Sequence, residues 1–81
     1  MTVTVRYYAV LREITGTGVE SLQIPDGSDG HTLLRFIAEK HEKLGPYLSS
    51  IRLAGETEFI ENKSVLEPDK VISLIPPVSG G

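Results

Sequence analysis

No cysteine occurs in the chain, which removes disulfide scaffolds, zinc knuckles, cysteine nucleophiles and cysteine-ligated iron–sulfur clusters together. No apolar run approaches the ~18 residues that a membrane helix needs. The start, Met1-Thr2-Val3-Thr4, has neither the charged nor the apolar region of a secretory signal, so the expected address is the cytoplasm, with no membrane partner. A basic stripe is missing too. Eight Lys and Arg residues stand alone along the chain against 11 Asp and Glu, for a net charge of −3. Nucleic-acid binders displace phosphate counterions with clustered cations, so no nucleic-acid partner is expected. A chain this acidic leads one to expect a basic protein surface as its complement.

Histidine is equally sparse. His31 and His41 fall at opposite ends of one predicted helix, about 15 Å apart at 1.5 Å per residue, so they cannot share a metal. His41 lies on the apolar side and reads as a half-buried core residue; His31 reads as a solvated first-turn residue. The carboxylate pairs Glu56/Glu58 and Glu67/Asp69 have the spacing of ordinary polar turns. No glycine loop precedes a lysine in the phosphate-cradling pattern, and no serine sits in a nucleophile elbow. An independent enzyme is not expected, and no bound cofactor or metal.

What is present fits one small domain. Eighty-one residues, 40% of them hydrophobic and 23% charged, suit a single soluble unit. Thr2 to Ala9 alternates, with Val3, Val5 and Tyr7 on one face, and reads as a strand. Val10, Leu11 and Ile14 fall at helical spacing before Gly16. Val19 to Ile24 reads as a second strand, ended by Pro25-Asp26-Gly27, and the two strands suggest a hairpin. Ser28 or Asp29 can cap the longest helix, whose stripe runs through Leu33, Leu34, Ile37, Ala38, His41 and Leu44. Glu39 and Lys43 make an i,i+4 pair on its other side, Phe36 covers an edge of the sheet, and Gly45-Pro46 is the expected stop. Short strands follow at Ile51 to Ala54 and Glu58 to Glu61. Lys70 to Ile75 is nearly continuous β-former, as in a central, well-covered strand. The order predicts an α+β domain over 1–75, a mixed sheet on one main helix with the first and last strands parallel and adjacent. This is the ubiquitin-like β-grasp.

The most unusual run is the last, "LIPPVSGG", Leu74 to Gly81. Pro76 and Pro77 cannot donate ladder hydrogen bonds and stiffen the exit from the strand. Val78, Ser79, Gly80 and Gly81 then diminish in side-chain size. Six residues extended reach about 20 Å, and the two glycines fit a channel that would exclude any Cβ. Residues 76–81 thus predict an extended C-terminal arm with a carboxylate at its tip.

That ending resembles the tail of the small subunits of molybdopterin synthase and their relatives, a sulfur-carrier family with the β-grasp fold. "VRYYAVLREITG", Val5 to Gly16, and "TLLRFIAEKH", Thr32 to His41, are similar to the family's first strand with its Arg-Glu helix and to its main helix. Glu67-Pro68-Asp69-Lys70 replaces the family's common Asp-Gly-Asp-Glu type turn, and Ala54-Gly55 its Val-Asn turn. The resemblance implies that a carboxylate, ionised and a poor electrophile with a pKa of about 3.5, is adenylated at Gly81 by an E1-like activating enzyme that consumes ATP. A sulfur donor protein then leaves a terminal thiocarboxylate, and the synthase large subunit receives the arm for dithiolene formation in molybdenum or tungsten cofactor biosynthesis. The chain itself would be a non-catalytic carrier subunit of the sulfurtransferase complex. Gly81 would be the reactive residue, Gly80 its steric companion, and Pro76, Pro77, Val78 and Ser79 the threading arm. Ile75, Phe59, Tyr8 and Arg12 match partner-docking positions. The same ending also suits a ubiquitin-like modifier joined to lysines through Gly81, a carrier for another thiolation pathway, or a plain binding module with an idle tail.

Overall fold

A computed structural model describes residues 1–77. Its elements run β1 (Thr2–Tyr7), α1 (Ala9–Thr15), β2 (Val19–Gln23), α2 (Gly30–Lys40), a 3₁₀ segment (Glu42–Ser50), β3 (Arg52–Ala54), β4 (Phe59–Ile60) and β5 (Val71–Ile75). The five strands form one sheet in the order β2-β1-β5-β3-β4. β1 pairs in parallel with β5, placing Val5 opposite Ile72 and Tyr7 opposite Leu74. The other three pairings are antiparallel. The first and last strands therefore sit side by side, as the element order predicts, and the architecture is the ubiquitin-like β-grasp.

Alternation explains the core. Val3, Val5 and Tyr7 of β1 and Ile72 and Leu74 of β5 point to the helix side and are buried. Leu33 and Ile37 of α2 are fully buried against them. Asp29 caps α2, its side chain accepting from the Thr32 N–H at 2.9 Å. Ser28, the other candidate cap, instead donates to the Pro25 carbonyl at 2.6 Å. Gly30 opens the helix where the loop at Asn62 presses in. A Cβ there would lie 2.6 Å from Leu53 Cδ1 and 2.9 Å from the Asn62 backbone, so only glycine allows this approach.

β1 and β2 pair antiparallel with α1 as the short helix that connects them, in keeping with the helical spacing of Val10, Leu11 and Ile14. Two expectations need correction. The long helix ends at Lys40, not at Gly45-Pro46: His41, at φ −125° and ψ 80°, leaves helical geometry. The 3₁₀ segment then carries Pro46 within it and buries Leu44 by its own turn. Glu39 and Lys43 consequently do not share an α-helical face. Finally, β5 is central in strand order yet covered on one side only: Ile72 and Leu74 are buried, whereas Val71 is exposed. Its apolar run reflects a half-open strand whose outer residues include the apolar Val71 and Ile75 on either side of Ser73. β5 ends at Ile75, with Pro76 and Pro77 beyond it.

Candidate partner-binding face

The side of the sheet away from α2 is uncovered. The strand register aligns Val19, Arg6, Ser73, Ala54 and Phe59 across all five strands in one row. The next row pairs Ile75 of β5 with Arg52 of β3. Tyr8 follows β1 in extended conformation, at φ −124° and ψ 154°, as the N-cap of α1. Ala9 then turns the chain sharply, with φ 48°, a left-handed conformation costly for a residue with a Cβ. That turn ends the strand beside the row and starts α1. Arg12, on α1, lines one cleft with Arg6, Tyr8 and Val19.

Exposure separates docking from core. Phe59 is 58% exposed and Tyr8 41%, values that core packing does not explain. Ile75 is half-buried and Arg12 exposed. The four docking positions expected from the family thus lie on the open sheet face and its adjoining cleft, and Pro76 and Pro77 continue from Ile75. The expected arm residues Val78, Ser79, Gly80 and Gly81 lie outside the described residues.

Two arginines join this face that the sequence reading left out. The Arg52 guanidinium carbon stands 3.9 Å from the centroid of the Phe59 ring, a cation–π arrangement that orders both side chains. Arg6 borders Tyr8 and Ser73 in a second cleft. Ser73, by hydrogen bonding, and the Arg6 guanidinium hold the Tyr8 phenol below the usual tyrosine range. Arg6 was legible in principle, since it alternates in phase with Tyr8. Arg52 was not, because its place depends on the pairing of β3 with β4 and β5.

The remaining titratable cluster is on the covered side. Glu20 Oε1 accepts from the Tyr7 hydroxyl at 2.8 Å and lies 2.9 Å from His41 Nε2, while Glu20 Oε2 pairs with Lys40 Nζ at 2.9 Å. Burial acts to raise the Glu20 carboxyl, but the hydrogen bonds from His41, Lys40 and Tyr7 prevail and hold it below its usual range. Burial and the Glu20 contact push the Tyr7 phenol well above its usual range. No buried side-chain polar atom lacks a partner among the described residues, and the network reads as a clamp between β1, β2 and the end of α2. His41 is thus the half-buried residue expected, and His31 is exposed. No group of metal-ligating side chains forms among the described residues.

The model of the ThiS family matches residues 5–81. The chain belongs to the ThiS family. Among its relatives, the human molybdopterin synthase sulfur carrier subunit is 34% identical, over 98% of this chain and 93% of that protein. The Chlamydomonas reinhardtii protein of the same name is 29% identical, over the full length of both. A solved structure of molybdopterin converting factor subunit 1 from Pyrococcus furiosus superposes on this ThiS-family chain with TM-score 0.86 at 23% identity, covering 96% of this chain and 99% of that one. That likeness shows the fold. A chain of the complex between subunits 1 and 2 of molybdopterin-converting factor from Helicobacter pylori matches at 28% identity and TM-score 0.69, covering all of both chains. No described helix of this ThiS-family chain is long and apolar enough to cross a membrane.

Proposed function

We propose that this chain is the sulfur-carrier small subunit of molybdopterin synthase, carrying sulfur as a thiocarboxylate on Gly81. The observation that carries this reading is the family match itself, which runs through the arm to Gly81. The names of the relatives and the two-subunit complex of the Helicobacter pylori protein support a large-subunit partner.

The chemistry requires activation first. A carboxylate resists nucleophiles because it is anionic and its oxide is a poor leaving group. Attack of a Gly81 carboxylate oxygen on the α-phosphorus of ATP, in the activating enzyme, forms the acyl-adenylate and expels pyrophosphate. The terminal sulfur of a persulfide on the donor protein then attacks the acyl carbon and expels AMP. A second thiol cleaves the resulting acyl disulfide, leaving the thiocarboxylate on the terminus and a disulfide on the enzyme side. The terminus keeps one oxygen and gains one sulfur. The protein is a group carrier. On this reading its own residues hold the arm and dock the enzymes that supply the chemistry.

Pro76 and Pro77 direct the arm away from the sheet by ending the ladder, and Gly80 and Gly81 allow it into a narrow active site. Tyr8, Phe59, Ile75 and Arg12 seat the domain while the arm is inserted.

Intact-mass analysis of the protein from its own cells, under neutral non-reducing conditions, tests this reading. One sulfur-for-oxygen exchange mapped to Gly81, absent when Gly80 and Gly81 are deleted, is the expected result. An unmodified Gly81 carboxylate with the activating enzyme, ATP and donor all active would overturn it, and Gly81–lysine conjugates would transfer the weight to the modifier reading.

A further inference from the structure

Gly18 has no backbone reason to be a glycine. It stands outside the left-handed region that Gly16, at φ 77°, and Gly27, at φ 84°, occupy, so a residue with a Cβ could adopt its conformation. What crowds a side chain there is Arg12. A Cβ at Gly18 would lie 3.3 Å from Arg12 Nε, 3.4 Å from Cζ and 3.7 Å from Cδ. Three consecutive atoms at nearly one distance mean that the end of the Arg12 side chain lies across Gly18 and does not point at it.

We infer that Gly18 is a positioning residue, whose bare backbone is the floor on which the Arg12 guanidinium lies and which sets how Arg12 meets a carboxylate of the synthase large subunit. The inference rests on the carrier reading, in which Arg12 is a docking position. It adds a residue that acts through Arg12 and that the family resemblance did not include.

The floor is fixed by its neighbours. Thr15 Oγ1 donates to the Thr17 carbonyl at 3.0 Å and accepts from the Thr17 N–H at 3.4 Å. Thr17 Oγ1 in turn donates to the Val19 carbonyl at 2.8 Å and accepts from the Val19 N–H at 3.3 Å. The Gly18 carbonyl accepts from the Tyr7 N–H at 3.0 Å, which ties the loop to β1. At the other end the Arg12 carbonyl accepts from the Gly16 N–H at 2.9 Å, closing α1. The backbones beneath and behind the guanidinium are thus both held.

A guanidinium laid flat keeps its N–H donors in one plane, the geometry that two carboxylate oxygens match. On a protein partner that acceptor is an Asp or a Glu. A side chain already resting on a fixed surface also loses less freedom on binding than one that is loose. Arg12 and Gly18 line one cleft of about 280 Å³ with Arg6, Tyr8 and Val19, so a larger residue at 18 displaces the guanidinium within the cleft where the partner would meet it.

The test is a double-mutant cycle on the full chain, read as affinity for the large subunit from the same cells. Its variants are Gly18→Ala, Gly18→Val, Arg12→Ala and Gly18→Val/Arg12→Ala, with Gly45→Ala as control, because a Cβ at Gly45 meets nothing within 4 Å. Thermal melts establish that each variant is folded, as expected where valine enters an extended segment. Gly18→Val should weaken binding by about tenfold, as for a displaced arginine anchor, and Gly18→Ala by less. In the Arg12→Ala background the same valine should cost less than about twofold, since the two residues then act as one. In the free chain labelled with ¹⁵N, the Arg12 Nε–Hε resonance should shift in Gly18→Val and stay in place in Gly45→Ala. An equal loss from Gly18→Val with and without Arg12 would overturn the inference, for valine would then obstruct the partner directly. Wild-type affinity in Gly18→Val or in Arg12→Ala, or an unmoved Arg12 resonance, would overturn it too. In each of these cases a thiocarboxylate on wild-type Gly81 leaves the carrier reading standing. A wild-type chain that binds no large subunit and carries no thiocarboxylate would remove that reading, and this inference with it.

Discussion

His41 and Glu20, 21 residues apart in sequence, meet at 2.9 Å where the end of α2 reaches the sheet. The contact sits at the residue where the long helix leaves helical geometry, and it gives a mid-strand glutamate one of its partners. Tyr7 and Lys40 complete the group. A carboxylate so enclosed stabilises the fold only while it is ionised.

Glu20→Gln should therefore destabilise the protein by about 1–3 kcal/mol at neutral pH, since it leaves hydrogen-bonding groups poorly matched in a largely buried place. The pH dependence has a definite sign. The folded-state pKa of Glu20 lies below the ordinary glutamate value of 4.5, so its contribution is fully present above that value. It is lost as pH falls from there through the lower folded pKa. Urea titrations from pH 7 to pH 2.5 should show a wild-type loss of stability in that window that is smaller in Glu20→Gln. Parallel curves for the two proteins would contradict the assignment.

Gly30→Ala should cost about 1–3 kcal/mol, despite the better helix propensity of alanine. The added methyl meets Leu53 Cδ1 and the Asn62 backbone inside normal contact distance. Leu53 can turn; the backbone must move. Thermal denaturation monitored by far-UV circular dichroism measures this, and a gain in stability would show that the loop yields freely.

Phe59→Ala separates docking from folding. Phe59 is mostly exposed and packs chiefly on Arg52, so stability should change by less than about 1 kcal/mol. Affinity for the arm-receiving enzymes should fall by about tenfold or more, as for an aromatic anchor at an interface centre. Comparable losses in stability and binding would make Phe59 a structural residue.

How far the sequence could be read depended on whether a feature was local. The alternation of Val3, Val5 and Tyr7 and the β-rich run before Pro76 are visible within short windows, and both strands stand where they were expected. The end of α2 was misplaced because its apolar spacing continues through His41 and Leu44, and Gly45-Pro46 looks like a stop. The helix ends where His41 meets Glu20, a residue of a distant strand, and the 3₁₀ segment then accommodates the proline. Tyr8, Arg12, Phe59 and Ile75 were expected as docking positions from family likeness alone; the strand register places Arg6 and Arg52 on the same face. A sum over the chain does not say where charges lie: Lys40, Lys63 and Lys70 pair with glutamates of the chain, while Arg6, Arg12 and Arg52 form no salt bridge among the described residues.

The parallel pairing of β1 with β5 has a bearing on biosynthesis. β5 leaves the ribosome after the other four strands, yet its slot is the middle of the sheet. Until it is inserted, β1 and β3 have no common neighbour, Tyr7 and Leu53 lack the partner that covers them, and the row that carries Arg6, Ser73 and Phe59 does not exist. The strand that completes the domain is the one that leads into the arm. A nascent or truncated chain therefore lacks the completed sheet face, and on the proposed carrier function an activating enzyme that engaged this face would spend ATP only on molecules that have finished folding.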